Sequence, residues 1–270
     1  MMTIFLGVVE GVTEFLPISS TGHLLLVEHW FGVKRSELFN VGIQSGALLA
    51  VLLIYAPRLR AMVTGEMGKS GKLYLAKMIL AFLVTAVLGL AASKLGLKLP
   101  ENPAPVAWTL ITGGVLILLA EAWLKRHQGH EDPGWLTALA IGASQMLAAV
   151  FPGTSRSAVS IITGMFGGLS RTAAADFSFV LGIPTLLAAS VLSFFRQLKT
   201  TGIPEQHEWV HLGLGFAVSA ITAYLVVRWL LGYIRTRTFS PFGWYRIVLG
   251  VIWSLTYRGG VARQFGVTAS

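Results

Sequence analysis

The sequence predicts an all-α integral membrane protein: a single membrane domain of two inverted-topology repeats, with six full spans and two broken re-entrant helical hairpins. Composition is the first ground. Hydrophobic residues make up 54% of the 270 residues, charged residues only 12%, and mean hydropathy is +0.69. A soluble domain carries about 25% charged residues, so this chain could not coat a water-facing surface, and the same apolar excess excludes disorder. Length is the second ground, because six stretches reach the ~20 apolar residues that cross a bilayer as a helix. The third is a proline-broken apolar segment that recurs half a chain later. Cys is absent, which removes disulfides, thiolate metal sites and cysteine nucleophiles. The formal charge of +9 points to anionic membrane lipids as partners rather than nucleic acid.

Taken in order, region 1–31 is apolar but too long for one span, and Pro17 breaks it. It does not read as a secretory signal peptide, because no basic residue precedes Lys34 and Glu10 and Glu14 interrupt the apolar run; the segment is expected to be retained. Spans follow at 38–56, 73–93 and 105–124, separated by charged or Pro/Gly-rich connectors at 57–72 and 125–134. Region 135–169 is again overlong and broken, at Pro152, and spans at 173–195, 210–231 and 241–257 complete the chain. A shift of 135 residues lays LGVVEGVTEFLPISST over IGASQMLAAVFPGTSR, with Gly7 on Gly142, Glu10 on Gln145, Pro17 on Pro152 and Ser20 on Ser155. That self-similarity reads as an internal duplication into repeats 1–134 and 135–270. A hairpin plus three spans is an odd number of crossings, so the second repeat enters upside down, and such folds place broken helices at a midplane site. Nine Lys and Arg on the side of connectors 57–72 and 125–134, against eight on the other, favour the former as cytoplasmic, by a margin of one.

The breaks carry the chemistry. Glu10 and Glu14 stand four apart, so both carboxylates leave one helix face. Within apolar sequence such a pair needs a cavity, a proton or a cation, and hard oxygen ligands suit Mg²⁺ or Ca²⁺. Structural pairing with lysines is the competing reading, but no base precedes Lys34. Pro17 stops the helix, and Ser19, Ser20 and Thr21 are cap residues for a second one whose free N–H groups, with Gly22 beside them, suit phosphate. His23 lies one turn beyond Ser20 as an acid, base or nucleophile. The second break, FPGTSRSAVS, repeats this design with Gly153, Thr154, Ser155 and Ser157 around Arg156, which stands where the shift puts Thr21. A guanidinium there makes bidentate contacts to phosphate oxygens; snorkelling to the interface is its alternative role. Asp176, at the start of a later span, receives no role. The inventory suits phosphoryl transfer on a phosphorylated lipid.

GVVEGVTEFLPISSTGH and PGTSRS resemble the two motifs of the undecaprenyl-diphosphate phosphatase family, also called bacitracin-resistance proteins, and the later DFSF and SPFGWYR segments fit as well. Ala158 departs from the glycine expected after SRS. The resemblance implies hydrolysis of a C55 polyprenyl diphosphate to monophosphate and phosphate, regenerating the carrier for peptidoglycan precursors. It further implies a multi-pass enzyme of the bacterial inner membrane, divalent-metal dependence and a site open to the periplasm. By position, Glu10 and Glu14 match the acidic pair, Ser20 and His23 the hydroxyl and histidine, and Arg156 the phosphate-binding arginine. Ser20 is the favoured nucleophile, with His23 or a glutamate as base; attack by His23 or by a metal-bound water stays open. Inverted repeats with broken helices also build secondary transporters, so a lipid-phosphate flippase or anion transporter is the alternative. A homodimer is compatible with the sequence, which leaves the oligomeric state open.

Overall fold

The computed structural model describes residues 1–33, 35–95, 104–202 and 206–264. Of the eight Lys and Arg on the side away from connectors 57–72 and 125–134, Lys34 and Lys98 lie outside the described residues, and of Arg258 and Arg263 only the helical backbone is described. The described regular structure is helical, in the order α1 (Met2–Thr13), α2 (Ser20–Phe31), α3 (Glu37–Thr64), α4 (Gly68–Lys94), α5 (Ala104–Leu124), α6 (Trp135–Val150), α7 (Arg156–Phe166), α8 (Arg171–Thr201), α9 (Gln206–Tyr233) and α10 (Ser240–Gln264). Helices α3, α4, α5, α8 and α9 are long and apolar enough to cross a membrane. The sixth expected span is also a helix, α10 of 25 residues, but it is not among those five. Within 240–256, Pro241, Arg246, two serines and two glycines dilute its hydropathy, and Arg246 turns inward.

The two broken regions form pairs of short helices, α1 with α2 and α6 with α7. At 12, 12, 16 and 11 residues each falls short of the ~20 needed to cross. A correction concerns the connector at 57–72. Helix α3 runs through Pro57 and ends only at Gly65, whose φ of 79° is the left-handed stop. Pro57 does forfeit a helical hydrogen bond, but the turn beyond it is anchored by Arg58, whose Nη1 donates to Asp176 Oδ2 at 2.8 Å.

Small residues let the short helices lie against long ones from the other half of the chain. A Cβ on Gly7 would meet the Gly215 carbonyl oxygen at 2.9 Å, and one on Gly11 the Ser219 oxygen at 2.7 Å, so α1 rests on the α9 backbone. Likewise Gly142 of α6 abuts the Ala81 backbone of α4. Close backbone approach of this kind is how helices gain packing energy where lipid supplies no hydrophobic drive. At the end carrying connections 65–67, 125–134, 167–170 and 234–239, polar bonds lace the bundle together. Arg171 grips Glu121, with Nη2 to Oε2 at 2.6 Å, and the Phe239 N–H donates to Glu121 Oε1 at 2.7 Å. Lys77 of α4 donates to Asp132 at 2.6 Å.

Candidate active site

The two breaks meet in the interior. In each, the chain leaves a short helix, passes a proline and restarts on a serine whose side chain caps the next helix. Ser19 (φ 77°) and Ser155 (φ 72°) are the only non-glycine residues with positive φ among the described residues. Their hydroxyls accept from Gly22 N at 3.1 Å and Ala158 N at 3.2 Å. Holding a β-carbon in that region is unfavourable, and such strain concentrates at functional sites. The equivalence also corrects the register. Pro152 is followed by Gly153 and Thr154 before its cap, Pro17 by Ile18 alone, so the offset grows from 135 to 136 across the break. Ser155 therefore answers to Ser19 rather than Ser20, and Arg156 stands at the place of Ser20 rather than Thr21. Ala158 answers to Gly22, which is why its methyl is tolerated: it is fully buried and its N–H completes the cap.

Ser20 and Arg156 converge on one carboxylate. Ser20 Oγ donates to Glu14 Oε2 at 2.5 Å, and Arg156 Nη2 donates to Glu14 Oε1 at 3.3 Å. Arg156 is an internal rather than an interfacial cation: Nη1 donates to the Ser178 carbonyl at 3.3 Å and the guanidinium lies 5.6 Å from the Phe15 ring centroid. Ser157 braces the partner turn, its hydroxyl within 3.0 Å of the Leu16 carbonyl and 3.3 Å of the Glu14 carbonyl. A cavity of about 210 Å³ opens onto Glu14, Ser19, Ser20, Thr21, Gly153, Ser155 and Arg156. Gln44, Thr85, Gln145 and Thr185 complete its polar wall, and Ala148, Ala149, Leu186 and Ala189 its apolar one.

Other expected residues stand back from that cavity. Glu10 is 1% exposed, adjoins the Glu14 carboxyl, and its Oε2 receives no hydrogen bond among the described residues. Gly22 packs against the second turn, since a Cβ there would come 3.6 Å from Gly153 Cα. Thr154 turns its hydroxyl to the Phe151 carbonyl at 2.6 Å. His23 does not line the cavity. Nδ1 lies 2.7 Å from the Ser19 carbonyl oxygen, which can only accept, so Nδ1 carries a proton; Nε2 lies 2.7 Å from the Tyr245 hydroxyl and, in the neutral ring, accepts from it. Asp176 lies elsewhere, held by Tyr55 and Arg58. Gln44, Thr85, Gln145, Thr185 and Tyr245 were missed as site residues; Gln145 carried a signal through its alignment with Glu10, and Tyr245 through the SPFGWYR segment.

Glu10 and Glu14 offer an orphaned carboxylate oxygen beside a second carboxylate, a donor set that fits a hard divalent cation. Among the described residues no group of three His, Asp or Glu forms a metal cage. Two carboxylates with phosphate oxygens and water are the usual surroundings of Mg²⁺, whereas Ca²⁺ takes more protein oxygens.

Comparison with known proteins bears on what this cavity receives. The family model described as Bacitracin resistance protein BacA matches residues 3–252. The undecaprenyl-diphosphatase of Rhizobium johnstonii is 47% identical over 248 residues, covering 92% of this chain and 93% of that protein. Those of Xylella fastidiosa and Xanthomonas oryzae pv. oryzae are 46% identical over 250 residues and 48% over 248, covering 92% of this chain and 95% and 93% of theirs.

Proposed function

The chain belongs to the bacitracin resistance protein BacA family, and from that premise we propose that it hydrolyses undecaprenyl diphosphate to undecaprenyl phosphate and inorganic phosphate, returning the lipid carrier to peptidoglycan synthesis. The relatives named above carry that activity in their names over nearly their whole length, so the transporter alternative is not favoured. The observation that carries the reading in this chain is the meeting of Ser20, Glu14 and Arg156 at one cavity.

In the mechanism we favour, Ser20 Oγ attacks the terminal phosphorus while Glu14, already accepting its hydrogen bond, takes the proton. The bond from phosphorus to the bridging oxygen breaks, and undecaprenyl phosphate leaves with the electron pair. Arg156 stabilises charge gathering on the equatorial oxygens. Glu14 passes that proton to the departing undecaprenyl phosphate, then takes one from the water that attacks the phosphoserine and returns it to Ser20 Oγ as inorganic phosphate departs. His23, engaged with Tyr245 and Ser19, is worse placed as the base than Glu14. Glu10 and Glu14 would hold a divalent cation, most consistently Mg²⁺, which when bound neutralises phosphoryl charge.

The repeat is taken as inverted because the packing is exchanged between halves: Gly7 meets Gly215, while Gly142, its equivalent at an offset of 135, meets Ala81. On this reading α1–α2 and α6–α7 are re-entrant, α10 is the sixth crossing, and the protein sits in the bacterial inner membrane. The site is assigned to the periplasmic side because Arg58–Asp176, Lys77–Asp132 and Arg171–Glu121 lace the opposite end.

Purified protein in detergent is expected to release phosphate from a long-chain isoprenyl diphosphate, to stop with EDTA and to restart with Mg²⁺. No release, with substrate still carried across vesicle bilayers, would favour the transporter.

A further inference from the structure

The mechanism gives Arg246, in the SPFGWYR segment at 240–246, no part, yet its side chain lies between the two broken turns. It is 0% exposed and pairs with no carboxylate among the described residues. Burying a guanidinium is costly unless its donors are satisfied, and here backbone carbonyls satisfy them. Nη1 donates to Pro17 at 3.2 Å; Nη2 lies 3.1 Å from both Gly153 and Thr154 and 2.9 Å from Thr109; Nε reaches Leu110 at 3.3 Å. Pro17 lies two residues before the cap Ser19, and Gly153 two before the cap Ser155. One side chain thus holds matching carbonyls of both broken turns and fastens them to α5. The approach is made possible by glycine: a Cβ on Gly113 would fall on the Arg246 guanidinium, and one on Gly243 would come 2.9 Å from the Gly114 oxygen.

We propose that Arg246 is a positioning residue that sets the spacing of the two turns, so that Arg156 from one reaches Glu14 and Ser20 from the other. The inference rests on reading that cavity as the phosphatase site. Arg246 touches neither Glu14, Ser20 nor Arg156, so it acts through the backbone it holds. Lysine keeps the charge but offers three donors from one nitrogen, too few and too closely set to hold all five carbonyls that the three guanidinium nitrogens reach.

The test measures phosphate release from a long-chain isoprenyl diphosphate by wild type, R246K, R156A and the double variant, each shown to be folded by size-exclusion chromatography and circular dichroism. R246K is expected to lose about tenfold or more in kcat with KM moved less than about threefold, and to cost less than about twofold when added to R156A, because coupled residues are not additive. Gly113→Ala, which displaces the guanidinium without removing it, is expected to give the same kcat-selective, non-additive loss and serves if R246K does not fold. A kcat within about twofold of wild type, a loss confined to KM, or an equal loss in both backgrounds would overturn the inference alone. Absence of release by the wild type would sink the phosphatase reading and this inference with it.

Discussion

Glu14 takes a hydrogen bond from Ser20 on one oxygen and from Arg156 on the other, so changes to these three residues should fall on kcat. Arg156→Ala is expected to lower turnover on the order of 10²-fold or more, the usual effect of removing transition-state charge stabilisation. Glu14→Gln keeps the shape and removes the base, and should cost on the order of 10²–10⁴-fold. Near-native phosphate release by either variant would mean that the carboxylate–guanidinium pair is only structural. Glu10 differs because its free oxygen faces no donor. Glu10→Gln should chiefly raise the Mg²⁺ concentration for half-maximal activity, read from a titration after EDTA treatment, and an unchanged midpoint would remove it from the cation site. These residues were legible because charge and hydroxyls inside apolar sequence are anomalous. The direction of His23 was not, since its proximity to Ser20 in the chain says nothing of Tyr245, 222 residues away.

Among the elements, the two pairs of short helices explain how polar groups come to line a cavity inside an apolar bundle. Two helix starts supply N–H groups and caps, and proline removes the hydrogen bonds that would otherwise continue each helix. Their placement depends on glycine contacts. Adding a methyl at Gly11 drives it into the Ser219 oxygen and Ala223 nitrogen, at 2.7 and 2.9 Å, on the face that fixes α1. Gly11→Ala should therefore cost about 1–3 kcal/mol, typical of overpacking, seen as a lower unfolding temperature in detergent. Gly213→Ala on α9, with nothing within 4 Å of its Cβ, should be neutral or slightly stabilising. Equal behaviour of the two variants would refute this account of how α1 is seated. Hydropathy revealed the helices because their lengths match a bilayer. It could not reveal that α3 continues through Pro57, because that extension is held by Asp176 from a distant helix. The extra residue after Pro152 was equally hidden: only the backbone angles of Ser19 and Ser155 show which residues are equivalent.

For the molecule as a whole, residues far apart in the chain meet at one cavity: the turn after α1 brings acids and a hydroxyl, the turn after α6 the cation that faces them, and the last helix ties both turns to the bundle through Arg246. The likeness of the two proline breaks could be read from the chain, since Pro17 and Pro152 are each followed by small hydroxyl residues. The tie could not, although an arginine inside an apolar stretch was its visible trace. The most direct measurement supplies substrate labelled on its terminal phosphate, quenches the reaction within a turnover and locates the label on the protein. The account predicts phosphoserine at Ser20, diminished in Arg156→Ala and absent in Ser20→Ala together with phosphate release; label on His23, or undiminished release by Ser20→Ala, would contradict it.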